Sequence, residues 1–168
     1  AHARMDKQLQ QKSIKKHYYA LVEGDTKLEQ QGEIIAPIAR DVDSIITRRV
    51  HKSGKYAHTS YRLVGDYGRV KLVDINLHTG RTHQIRVHFS YLGHGLIGDP
   101  VYVNRVRFPA GASEALIDML RSFKRQALHA AKLGLVHPRT GEEMMFEAPW
   151  PEDFTQLVEV LRRENESY

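Results

Sequence analysis

The sequence predicts an α+β fold: a mixed, mostly antiparallel sheet flanked by helices. Strand-like and helix-like segments are interspersed without the regular β-α-β alternation of parallel sheets. Val70 to Leu77 carries apolar residues on both faces, as a central strand does. His137 to Gly141 (HPRTG) reads as a hairpin turn between two strands.

Residues 1–12 read as an exposed basic amphipathic helix, with Met5 and Leu9 sharing a face. A strand follows over Tyr18 to Glu23, closed by Gly24-Asp25. Gly32 to Ile38 reads as a short strand that Pro37 interrupts, so an edge or a bend is predicted there. Ala57, Thr59, Tyr61 and Leu63 alternate with His58, Ser60 and Arg62, the pattern of a half-buried strand. Asp66-Tyr67-Gly68 is a turn into Val70–Leu77, where Val73, Ile75 and Leu77 line one face and Val70 and Leu72 the other. A helix is predicted over Thr82 to Leu92, with Ile85, Phe89 and Leu92 inward and Gly93 as its stop. Gly95 to Tyr102 is loop. Ser113 caps a helix whose apolar face is Leu116, Met119, Leu120 and Phe123. Leu128 to Val136 and Met144 to Glu147 are the last strands. Pro151 opens a final helix bearing Phe154, Leu157, Val158 and Leu161, with Trp150 as its packing anchor.

The 168 residues fit a single domain, and 41% hydrophobic content supplies a real core. Lys and Arg number 25 against 20 Asp and Glu, a formal charge of +5 that favours a polyanionic partner. With no cysteine, a disulfide framework and a thiolate metal site are excluded, and a reducing compartment fits. No apolar run approaches the roughly 20 residues that span a bilayer, so no membrane partner is expected. The first residues lack an apolar signal core and an initiator Met, which suggests a chain that starts inside a longer gene product.

The densest chemistry lies between Gly80 and His88 (GRTHQIRVH), at a strand-to-helix junction. Free N–H groups and the helix dipole make such a junction attractive to anions, and Arg81 and Arg86 add charge. His83 and Arg86 share a face, opposite Ile85 and Phe89. Arg86 thus sits between core and cleft, where a guanidinium demands a carboxylate or phosphate. His83 and His88 are not at metal-helix spacing and have no carboxylate between them, so no metal site is expected there. Arg48, Arg49, His51 and Lys52 form a second basic cluster near a turn, suited to phosphate contacts. Lys55, His58 and Thr59 suit either RNA backbone contacts or an exposed polar strand edge.

GRTHQIRVH, followed by Leu92-Gly93 and Ile97-Gly98-Asp99-Pro100-Val101-Tyr102, resembles the third motif of the pseudouridine synthases that act on ribosomal and transfer RNA. Lys16 to Gly24 resembles the family's tyrosine motif. Gly54 to Thr59 resembles its GKxAxT strand, and Arg125 to Ala130, His137-Pro138 and Phe146 to Pro149 its closing strands. Gly111 to Ala115 resembles the branch that modifies large-subunit (23S) ribosomal RNA hairpins. The resemblance covers essentially residues 1–160.

What this implies is an isomerase, located in the cytoplasm, that detaches the uracil, rotates it and rejoins it through carbon 5, without cofactor or metal. The target base leaves the RNA stack, at low cost in a hairpin loop. By resemblance the catalytic residues here are Arg86, which pairs with the nucleophilic Asp and keeps it ionised, and Tyr18, which lies against the flipped base. On its pattern alone Tyr18 is equally a buried strand aromatic. Implied RNA contacts are Lys55, Thr59, Arg81, His83, Gln84 and Leu133; as a mid-strand residue Leu133 needs no special role.

The family's nucleophile lies in an HRLDxxTSG motif, and residues 1–168 contain none. Asp99, before Pro100, reads as an Asx-turn, and Asp74 as a mid-strand residue on a polar side. The chain is therefore expected to be the C-terminal part of a catalytic domain, inactive alone. It is further expected to expose sheet edges that take up the missing N-terminal half or a second copy. The alternative is a non-catalytic RNA-binding or ribosome-assembly module on the same scaffold.

Overall fold

The computed structural model describes residues 15–42, 47–103, 108–109, 111–136 and 143–166. In chain order its elements are β1 (Lys15–Glu23), β2 (Gln31–Ile35), β3 (Ile38–Arg40), β4 (Arg48–Val50), β5 (His58–Tyr67), β6 (Val70–Leu77), α1 (Gln84–Tyr91), α2 (Glu114–Ser122), β7 (Leu128–Val136), β8 (Glu143–Glu147) and α3 (Glu152–Glu166). Six strands form one sheet in the order β2-β5-β6-β1-β7-β8, and β3 pairs with β4 beside it. Every strand pairing among the described residues is antiparallel. The predicted helix over residues 1–12 and the turn at His137–Gly141 lie outside the described residues.

The two central strands decide the layering. β1 and β6 run in register from His17 opposite Asn76 to Glu23 opposite Val70. Ala20, Val22, Val73 and Ile75 share one core with Ile85 and Phe89 of α1. Leu21, Val70 and Leu72 share the other with Leu116 and Leu120 of α2 and Phe154, Leu157 and Leu161 of α3. Burial on both faces is why these strands read as nearly continuous apolar runs. Phe89 and Phe154 are fully buried, one in each layer, and such a side chain contributes about 1.5–3 kcal/mol. Trp150 bridges sheet and helix, edge-on to Tyr19 at 5.2 Å and to Phe154 at 5.1 Å.

β1 begins at Lys15, ahead of the expected Tyr18, and other boundaries differ as well. β2 ends at Ile35, and Ile38 begins β3 in the second sheet. Pro37 between them has no N–H for a ladder, while its carbonyl accepts from His51 N–H at 3.1 Å. β5 runs on to Tyr67, paired with Val70 of β6, and the register shift between Leu63 and Gly65 breaks the alternation that would mark its end. The reversal falls instead at Gly68, whose φ is 82°. The basic cluster at Arg48 is itself a strand, β4, in register with β3.

At α2, Ser113 caps as predicted, its hydroxyl accepting from Leu116 N–H at 3.1 Å. β2 and β8 are the outer strands of the main sheet. No helix of the described residues is long and apolar enough to cross a membrane.

The turn before Pro100 depends on Gly98. Its φ is +75°, and a Cβ there would lie 2.1 Å from the Arg125 carbonyl oxygen. Left-handed strain and overpacking together should make Gly98→Ala cost about 2–4 kcal/mol. Urea denaturation checks this; a loss under about 1 kcal/mol would show that the turn can relax.

Candidate active site

The site is built where β6 hands the chain to α1. His83, just before α1, has φ 55° and ψ 25° and makes no side-chain cap hydrogen bond. It is the one non-glycine among the described residues with positive φ. Its conformation turns the imidazole to Tyr102: His83 Nδ1 lies 2.8 Å from the Tyr102 hydroxyl, which accepts from Arg48 N–H at 2.9 Å. With that oxygen accepting from Arg48, the phenolic proton is directed at Nδ1. Burial first, then the charges of Arg86 and Arg48, push His83 below its ordinary value, against a smaller opposing pull from Asp99. His83 is thus a neutral acceptor linking β4, α1 and the Tyr102 loop.

One turn into α1, Arg86 makes a bidentate pair with Asp99. Nε donates to Oδ2 and Nη2 to Oδ1, both at 2.9 Å. The Arg86 side chain is 11% exposed and that of Asp99 is 0%. Asp99 Oδ1 also accepts from Val101 N–H at 3.0 Å and Tyr102 N–H at 3.2 Å. Burial works to raise the Asp99 pKa, but the Arg86 hydrogen bonds and these two amides outweigh it and hold the carboxylate below its usual range. Arg86 is raised in turn, chiefly by its hydrogen bond to Asp99. Its guanidinium lies over the Tyr102 ring, 5.0 Å from the centroid. The carboxylate that the sequence demanded for Arg86 is therefore present within this chain. Asp99 does form the expected Asx-turn, and the same oxygen anchors the arginine.

Tyr18 lies on β1 between Ile75 of β6 and Ala130 of β7. It packs on the core cluster that contains Ile85 and Phe89 of α1. Burial raises its phenol above 10.0, so it stays protonated at neutral pH. Leu133 lies on β7, in register with Lys16 and with Phe146 of β8.

Thr59 and Gln84 are assigned differently from the RNA contacts expected of them. Thr59 is 0% exposed and Gln84 3%. Gln84 Oε1 accepts from the Thr79 hydroxyl at 2.7 Å and Arg81 N–H at 2.9 Å. Its Nε2 donates to the His58 carbonyl at 3.0 Å and to Thr59 Oγ1 at 2.9 Å. Thr59 in turn meets His88 Nδ1 at 2.8 Å, and His88 Nε2 donates to the Ala36 carbonyl at 2.9 Å. Both side chains are spent on the scaffold: this relay ties α1 to β5 and to the β2–β3 connection, and leaves them nothing to offer a ligand. A buried network of this kind is stable only when every member is satisfied.

Beside the junction is a cleft of about 500 Å³ lined by Arg40, Arg48, Lys55 and Arg81, with no carboxylate among the described residues of its wall. Arg81 Nε is anchored on the Tyr56 carbonyl at 2.7 Å. Arg40 and Tyr102 were not singled out as site residues from sequence. Tyr102 lay in the quoted motif but had no visible partner until the fold brought Arg48 and His83 to it. Asp74 is a structural charge, 3.5 Å from His17 and 3.4 Å from Arg62.

The buried histidines give the fold an acid limit. Burial is the leading cause that pushes His88 and His94 below 6.5. The unfolded chain therefore binds these protons more readily than the folded one. Their contribution is fully present above about 6.5 and falls as pH drops below it. Urea midpoints should fall between pH 7.5 and 5.5, and His88→Gln should flatten that slope. A midpoint constant over this range would contradict the buried relay.

A family model described as RNA pseudouridylate synthase matches residues 1–91. The chain is 43% identical over its whole length to "Ribosomal large subunit pseudouridine synthase D" of Vibrio parahaemolyticus, covering 51% of that protein. It is 44% identical to the protein of the same name from Pseudomonas aeruginosa, covering 52%. The chain thus spans about half the length of the curated relatives it matches. Among solved structures, "Human RNA Pseudouridylate Synthase Domain Containing 4" superposes with a TM-score of 0.72 at 22% identity, over 95% of this chain and 67% of that one, a likeness of fold.

Proposed function

The chain belongs to the RNA pseudouridylate synthase family, and from that premise we propose that it forms the C-terminal part of a catalytic domain that converts specific uridines of 23S ribosomal RNA hairpins to pseudouridine. The observation that carries this reading is Arg86 fixed on Asp99 beside a cleft lined, among the described residues, by four cations and no carboxylate. Phosphates suit such a cleft. A substrate of this kind places the protein in the cytoplasm.

The reaction breaks the bond from ribose C1′ to uracil N1, forms one from C1′ to C5, releases the proton on C5 and returns one to N1. It consumes no oxidant and needs no cofactor. Arg86 commits Nε and Nη2 to Asp99. Nη1 is then the donor for the nucleophilic carboxylate, which residues 1–168 do not contain in its motif. A cation in contact with a carboxylate keeps it ionised. Tyr18, protonated and half-buried, supports the flipped base, and β7, which carries Leu133, runs beside it in the sheet. Lys55 and Arg81 hold backbone phosphates, and His83 positions Tyr102 under Arg86. The N-terminal half of the domain, or a second copy, completes the outer strands.

The test uses 23S ribosomal RNA carrying tritium at uracil C5, since C5 loses its hydrogen in the reaction. The full-length gene product should release tritium in proportion to pseudouridine formed, and the 168-residue chain should release none. Release by the chain alone would place a nucleophile within it. Tight binding by the full-length protein without release would identify a binding module instead.

A further inference from the structure

We propose that Glu33, His58 and His78 form a binding site for one divalent metal ion of the zinc class, on the sheet face turned away from α1. The three side chains come from β2, β5 and the residue that follows β6. Their candidate ligand atoms all lie within 4.8 Å of one another. Strand register puts them there. Ile35 is opposite His58, Glu33 is opposite Ser60, and Thr59 is opposite Leu77. His78 N–H donates to the His58 carbonyl at 3.1 Å, so the pairing extends to His58 and His78. Directly opposed residues point to one face, with Cβ atoms about 4.5–5.5 Å apart. Thr59 and Tyr61 point to the other face, into the core. The site is therefore separated from Arg86 by the sheet itself.

The spacing suits a small ion. At bonds of about 2.0–2.2 Å, tetrahedral ligand atoms lie about 3.4 Å from one another. Glu33 Oε1 and His58 Nε2 are already 3.0 Å apart. The His58 and His78 rings stack at 4.1 Å and 19°, so modest side-chain rotation brings the third ligand in. The glutamate is the ligand free to move, at 61% exposure against 16% for His58.

The supporting contacts are those a metal site uses. Ser60 Oγ lies 2.8 Å from His78 Nε2 and orients that ring. The His58 backbone is pinned at both groups: its N–H donates to Thr79 Oγ1 at 2.9 Å and its carbonyl accepts from Gln84. Glu33 and Ser60 also line a trough of about 610 Å³, and the Glu33 carboxylate is open to solvent. Two imidazoles and one carboxylate select zinc and its borderline neighbours over calcium or magnesium, and leave a fourth position to water. None of this chemistry enters the isomerisation. The ion would clamp outer strand β2 to β5 and to the segment that leads into α1.

Tag-free protein, stripped with a chelator, is titrated with Zn²⁺ by calorimetry and with Co²⁺ by visible absorption. One equivalent should bind. Glu33→Gln, His58→Asn and His78→Asn should each weaken binding by roughly 10-fold or more. Zinc should raise the melting temperature of the wild type by more than that of any variant at the same concentration. Glu33 is exposed, so its variant keeps the fold and isolates the ligand role. Absence of a saturable single equivalent, or an affinity that all three variants leave within about twofold, would show that Glu33 and His58 are only a hydrogen-bonded pair and that any bound metal sits elsewhere.

Discussion

Asp99→Ala should lower the unfolding free energy by about 3–5 kcal/mol, the cost of removing one partner from a buried ion pair. The reason lies in what is left behind. Arg86, with an 11% exposed side chain, would lose both hydrogen bonds of its fork. The amides of Val101 and Tyr102 would lose their acceptor. Asp99→Asn separates the two effects, since its amide oxygen can still accept from the turn while the charge is gone; it should fall between wild type and alanine. The double variant Arg86→Ala, Asp99→Ala should be more stable than the sum of the single losses implies, by about 1–3 kcal/mol of coupling. Urea denaturation of the four proteins gives the cycle. A loss below about 1 kcal/mol for Asp99→Ala would mean that the pair does not hold this loop against α1.

Arg86→Ala in the full-length protein should lower turnover far more than RNA binding. Loss of a preorganised charge at a reacting centre costs on the order of 10²–10³ in kcat, while a single phosphate contact changes affinity without touching the rate at saturation. Arg86→Lys is the sharper variant, because it keeps the positive charge and loses the planar fork that Asp99 engages. It too should cut kcat, by at least about tenfold, with RNA affinity within about threefold. Single-turnover rates at saturating RNA, with binding measured separately, distinguish the roles. If affinity collapses and the saturated rate holds, Arg86 is a phosphate contact.

The fold was legible where a segment carries its own periodicity. β6 and β7 match the bounds read from the sequence, and Ser113 announces α2. β4 was not legible, because Arg48, Arg49 and Val50 are too few to show alternation and the strand exists only against β3. The end of β5 was hidden by the shift between Leu63 and Gly65. At the site, the demand of Arg86 for a carboxylate could be read locally, but the identity of its partner could not. Asp99 has a sufficient local explanation as a turn residue, and only the packing of that turn against α1 gives it a second one. Thr59 and Gln84 misled for the converse reason. A polar side chain in a basic motif looks like a ligand contact until tertiary structure shows that its hydrogen bonds are already spent.

The same Arg86–Asp99 fork has a consequence for the entropy of assembly. A free arginine side chain carries about 2 kcal/mol of rotamer freedom. Here the fork and the Tyr102 ring beneath it fix the guanidinium when this chain folds. That freedom is already gone before any anionic partner reaches the fork, so no such encounter has to freeze it.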